Sequence, residues 1–196
     1  MRFLKGLIGL MLVAVMAVTG MGQTNTYSAC TAKIGEYSTE ISECDGWSAS
    51  FITSNTNCLT LISEIEDLLA GPKFDPSYNP DGPAQKQAFQ SMLDDLDGIR
   101  INRYNDWQSE DNSYSTTIAS LADTPAGLTA RANGTWANAW YMGVVWAAAQ
   151  YQIIYDDATG HKAQVGLHTT DFETLSDAVI ELYDDFATLK GLIDAY

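Results

Sequence analysis

From Phe172 to the end of the chain, Phe172, Leu175, Val179, Leu182, Phe186, Leu189, Ile193 and Tyr196 follow one another at alternating intervals of three and four. That is the a/d register of a heptad repeat, and among regular structures only a helix gathers such positions into one apolar stripe. Asp177, Glu181, Asp184, Asp185 and Lys190 fall outside it. A helix with one apolar stripe must bury it against other elements, so this segment already commits the chain to helix-on-helix packing. Thr170 with Glu173 three residues on reads as a capping box, and Asp171 adds a negative charge where a helix dipole is positive, so a helix is expected to open there.

Upstream the same period recurs between stop signals. Leu59, Ile62, Ile65, Leu68 and Leu69 keep helical spacing until Gly71-Pro72, which ends a helix expected to open near Ser48. The connection from Gly71 to Pro83 holds four of the five prolines. A second helix is expected from about Ala84, with Phe89, Met92, Leu93, Leu96, Ile99, Arg103, Tyr104 and Trp107 on its stripe, and Asp123-Thr124-Pro125 closes it because the residue before proline disfavours helical geometry. A third helix, Leu128 to Asp157, is the most apolar: Trp136, Trp140, Val144, Ala147, Tyr151 and Ile154 make one face, Tyr141, Val145, Ala149 and Ile153 another. Apolar on two sides, it belongs in the middle of a bundle. The predicted fold is all-α, an up-down antiparallel helical bundle of about four helices.

The first 22 residues read as a secretory signal peptide: Arg2 and Lys5 precede an apolar run, Gly6 to Val18, within the ~7 to 15 residues of a signal and short of the ~20 a spanning helix needs. Gly20 and Gly22 are small enough for a cleavage site, which divides the chain into a signal (1–22), an N-terminal arm (23–47) and a bundle domain (48–196). Export to a secreted, periplasmic or cell-surface location would place Cys30, Cys44 and Cys58 in an oxidising compartment. Their spacing of 14 and 14 has no C-x-x-C and no neighbouring histidine, so a zinc or haem reading is disfavoured. Asp45-Gly46 reads as a turn. A hairpin there would bring Cys30 to Cys58 in a disulfide stapling the arm to the bundle, with Cys44 to Cys58 as the alternative, and the odd thiol is a route to self-association or to a protein partner.

Ten Lys+Arg against 25 Asp+Glu give a formal net charge of −15. Nucleic acid is excluded as a partner, since phosphate binding draws on Lys and Arg; on the same balance no membrane is expected as a partner of the mature form. No catalytic constellation stands out. There is no G-x-S-x-G elbow and no Glu-x-x-His pair, and Asp94-Asp95, Asp156-Asp157 and Asp184-Asp185 are neighbours that do not face each other on a helix. His161 and His168 are read as lying in the loop before the last helix, without the spacing of a metal pair. Asp75, Ser77, Asn79, Asp81 and Gly82 resemble the start of a calcium loop, but taking Ser77 as the first ligand puts Ala88 where the bidentate Glu belongs; turn formation explains them as well. Asn133-Gly134-Thr135 matches a glycosylation sequon. No metal, cofactor or enzymatic activity is expected.

Two functions fit these features. The first is an exported protein acting by contact, as a structural or interaction protein that can self-associate. The second is a binder of a small apolar or planar ligand in a core lined by Trp136, Trp140, Tyr141, Trp146, Tyr151 and Tyr155. The export expectation is checked by peptide mapping of the exported protein: its first residue should lie between Gly20 and Thr24, and recovery of Met1 to Lys5 would refute it.

Overall fold

The computed structural model describes residues 26–196. Its elements are α1 (Tyr27–Leu69), a 3-10 turn (Pro72–Phe74), α2 (Gly82–Ser120), α3 (Pro125–Met142) and α4 (Val144–Ala195), with no strand among the described residues. The protein is all-α, with four α-helices. The apolar run Gly6 to Val18 and the cleavage site expected after it lie outside the described residues. None of the described helices is long and apolar enough to cross a membrane.

The breaks fall at residues that cannot continue a helix or that allow close approach. Gly71-Pro72 ends α1. A Cβ on Gly82 would sit 2.8 Å from the Phe74 carbonyl oxygen, so only glycine lets the turn fold back onto the start of α2. Thr124 caps α3 by accepting a hydrogen bond from the Gly127 N–H at 3.1 Å, with Pro125 at the first helical position. Gly143, at φ 87°, breaks the expected Leu128 to Asp157 helix into the end of α3 and the start of α4. A side chain at that φ would be strained.

Two expected breaks do not occur. Asp45-Gly46 makes no hairpin, because α1 runs uninterrupted through it and through the 47/48 boundary assigned to an N-terminal arm. Thr170 caps nothing, since α4 begins at Val144 and passes through Gly160, His161, Gly166 and Thr170 as one helix. An internal glycine costs a helix only about 1 kcal/mol relative to alanine, less than one buried large side chain contributes, about 1.5–3 kcal/mol. The buried stripes explain both. On α1, Cys30, Tyr37, Cys44, Phe51, Cys58 and Ile65 lie seven residues apart, and all are buried. On α4, Tyr151, Ala158, Val165, Phe172, Val179, Phe186 and Ile193 do the same.

The described residues divide into two compact units, one made of residues 26–42 with Thr117–Leu167, the other of Glu43–Thr116 with His168–Tyr196. In the second unit, Ser50 meets Ser176 and Glu64 meets Lys190, so α1 and α4 run parallel. Asn55 meets Arg100 while Ser48 meets Trp107, so α2 runs against α1. Its core joins Phe51, Cys58, Ile65 and Leu69 of α1, Phe89 and Leu93 of α2, and Val179, Leu182, Phe186, Leu189 and Ile193 of α4. Phe74, Phe89 and Tyr196 close one end, the Phe74 and Tyr196 rings stacked at 5.4 Å.

In the first unit the order Tyr27 beside Tyr151, then Tyr37 beside His161, shows α1 and α4 again parallel. Here α3 packs on α4 through Arg131, which pairs with Asp157 at 2.8 Å and also with Asp123. Small residues dominate: Ala132, Ala147, Ala148 and Ala158 are buried with Ile34, Leu128 and Ile154. A simple up-down order of four helices would set α1 and α4 antiparallel; in each unit they are parallel.

Leu182→Ala and Phe186→Ala should each cost about 2–5 kcal/mol, because they empty buried volume, whereas Asp184→Ala on the exposed side should cost less than about 0.5 kcal/mol. Thermal melts of the three variants check the register, and equal losses would refute it.

Candidate functional site

The third and fourth helices meet at Gly143, and the side chains around that turn face outward. Trp136, Trp140 and Tyr141 are 66%, 75% and 84% exposed, Val145 is 78% exposed, and Met142 and Val144 are also exposed. Contiguous apolar surface of this kind marks an interaction site on a soluble protein more often than chance. Beneath it Tyr27 of α1 connects the layers. Its ring lies 5.4 Å from Trp136 and 6.0 Å from Tyr151, and its hydroxyl donates to Asn133 Oδ1 at 2.6 Å. The sequon asparagine is thus held against α1.

The six aromatics expected to line one inner space are distributed otherwise. Trp136, Trp140 and Tyr141 point to solvent, Tyr151 enters the core, and Trp146 and Tyr155 are half-buried, with Lys33 Nζ 5.4 Å from the Tyr155 ring centre. The helical period was legible, but the turn at Gly143 redirects the side chains on either side of it. Tyr151 Oη is buried without a hydrogen-bond partner, and burial raises its phenol pKa first, with Cys30 and Tyr27 adding to the rise.

A second cluster was not anticipated. His168 is buried on the inner stripe of α4, where its Nδ1 pairs with Glu110 of α2 and its ring lies 5.6 Å from Tyr114. The Tyr114 hydroxyl donates to Asp45 at 2.9 Å, and Cys44 lies between Tyr114 and Thr169. Burial, then the bond to Asp45, pushes the Tyr114 phenol up. The loop reading of the histidines hid this layer. Continuing the heptad of Phe172 back by one step of four and one of seven would have found both His168 and His161. This network holds helices together; among the described residues no three His, Cys, Asp or Glu side chains gather as a metal would need.

The cysteines are free and fully buried. A disulfide between Cys30 and Cys58, or between Cys44 and Cys58, is ruled out by the helix itself. At 1.5 Å per residue the pairs stand roughly 42 Å and 21 Å apart along α1, whereas a disulfide needs Cα atoms within about 7 Å. An intermolecular bridge would require a thiol to leave the core. Burial pushes all three up to about 11, so at neutral pH they are thiols rather than nucleophilic thiolates.

In the Asp75 to Gly82 connection the oxygens serve the turn. Asp75 Oδ1 accepts from the Ser77 N–H at 2.7 Å, which lowers its carboxyl pKa, and Asn79 Oδ1 accepts from the Asp81 N–H at 3.2 Å. Asn79 Nδ2 donates to the Tyr196 hydroxyl at 2.8 Å. Comparisons with protein-family models, curated proteins and solved structures gave no match.

The thiols generate a pH prediction. An unfolded chain loses these protons from about pH 9, while the folded thiols keep them to about pH 11. The folded state therefore binds more protons in that window, and stability is full below pH 9 and falls as pH rises from 9 to 11. Denaturant melts across pH 7 to 11 should show that fall, reduced in Cys44→Ala after allowance for its lower starting stability. A thiol reagent at neutral pH should label none of the three until the protein is unfolded; rapid labelling of the folded protein would refute the burial.

Proposed function

We propose that this chain is an exported helical-bundle protein that works by contact, with the aromatic turn at Gly143 as its contacting surface. The observation that carries the reading is the exposure of Trp136, Trp140, Tyr141 and Val145 together at one turn, while the seven-residue stripe of α4 from Tyr151 to Ile193 is buried. Large aromatic side chains are the usual energetic anchors of contact surfaces. Export is supported by the basic residues Arg2 and Lys5 ahead of the apolar run Gly6 to Val18. Contact rather than catalysis is favoured because the thiols are held protonated and the one buried histidine pair ties α2 to α4. Self-association, if the surface serves it, runs through these side chains and not through sulfur.

A photo-crosslinking residue tests the reading in exporting cells. Placed at Tyr141 it should give covalent adducts, protein or lipid, and placed at Asp184 it should give few. Equal yields at the two positions, or none from position 141, would refute the contact surface. Trp140→Ser with Tyr141→Ser should shift stability by no more than about 0.5 kcal/mol per site, since both side chains are already in solvent.

A further inference from the structure

We propose that the occupant of the aromatic turn is a lipid bilayer surface, into which the α3–α4 turn dips at headgroup depth; this rests on the contact reading above and names its partner. Two independent observations point the same way.

The first is charge. The chain carries 25 acidic residues, yet none lies between Thr124 and Tyr155, and from Ala132 to Tyr155 there is no Asp, Glu, Lys, Arg or His at all. Counted from Gly143, that leaves arms of about 17 Å on each side of the turn without a charge. At their base Arg131 is paired with Asp123 and Asp157, and Asp156 accepts a hydrogen bond from Gln152, so the charges nearest the turn stand at the foot of the arms and not along them. The overall acidity that argues against a membrane partner does not extend to this part of the molecule. Desolvating a charge is what makes insertion costly, and none needs desolvating here.

The second is the distribution of the apolar side chains. Trp140 and Tyr141 are adjacent, as are Val144 and Val145, and neighbours on a helix point to different sides. All four are exposed. The exposed apolar side chains therefore spread over more than one side of the turn, where a protein interface would use one face. A fluid medium that surrounds the tip satisfies every side at once. Trp and Tyr with a few aliphatic neighbours are also the side chains that settle at membrane–water interfaces. The depth is bounded as well, because none of the described helices can span a bilayer.

The experiment is flotation of the exported protein with phosphatidylcholine vesicles, read together with quenching of its tryptophan emission by lipids brominated on the acyl chain. Wild type should float and be quenched. Trp140→Ser with Tyr141→Ser should weaken vesicle binding about tenfold or more, as should Val145→Lys alone. Leu167→Ser, which alters another exposed apolar residue of the same unit, should float like wild type. Circular dichroism of each variant shows that the helices are retained. Absence of wild-type flotation, or equal flotation of the double variant, overturns the lipid assignment. If flotation fails while position 141 still crosslinks to a protein, the contact reading stands and only the bilayer falls; if neither is seen, both fall. Stronger binding to anionic vesicles abolished by salt, with no quenching, would mean adsorption through surface cations and would also overturn the proposal.

Discussion

The fold depends on burying two stripes that recur every seven residues, one on α1 and one on α4. Each stripe keeps one side of a long helix out of water over most of its length, and side chains of this size contribute roughly 1.5–3 kcal/mol each when fully buried. Lengths of 43 and 52 residues follow from that uninterrupted gain. So does the tolerance of internal glycines, whose helix penalty is small beside it. The breaks at Thr124-Pro125 and Gly143 lie outside both stripes, and there the backbone leaves the helix at a capped proline and at a glycine of positive φ.

The same stripes carry polar groups, and these are paired rather than excluded. In the second unit Ser176 bonds Ser50 at 2.9 Å, Arg100 bonds Asn55 at 3.2 Å, Trp107 Nε1 donates to Ser48 at 3.1 Å, and Glu110 holds His168. A buried polar group without a partner costs about 1–3 kcal/mol. Sliding any one helix by a turn would strand two or three of these together, so the polar layers select one register from those the apolar residues alone would accept. The apolar end, closed by Phe74, Phe89 and Tyr196, supplies cohesion; the polar end supplies alignment.

The first unit uses smaller residues and ends in a surface of a different kind. Its alanines let the helices approach, Tyr27 bridges Trp136 to Tyr151, and the large aromatics beyond them are turned out. Gly143 permits this, since its φ of 87° lets α3 stop and α4 start within one residue. Charge is segregated accordingly, with the acidic residues kept away from the turn. This surface is therefore apolar and aromatic in character, whereas the acidic residues lie elsewhere on the chain and are kept solvated.

Much of this was legible from residue order. The all-α class, the heptad of Phe172 to Tyr196, the stop at Gly71-Pro72 and the helix boundary at Asp123-Thr124-Pro125 are local consequences of side-chain period and backbone restriction, so the sequence by itself determined them. It also marked the aromatic stretch as the part with functional pull. What it could not show was the meaning of signals that have two physical readings. A 14-residue cysteine spacing suits a disulfide framework and also equals two heptads; Thr170 with Glu173 suits a cap and also the outside of a continuing helix; Asp45-Gly46 suits a turn and also an exposed stretch of α1. Only tertiary packing chose between them, because the choice depends on whether another helix covers the stripe at that point. The outward turn of Trp136, Trp140 and Tyr141 was likewise decided there, since periodicity states which residues share a face but not whether a neighbour lies against it.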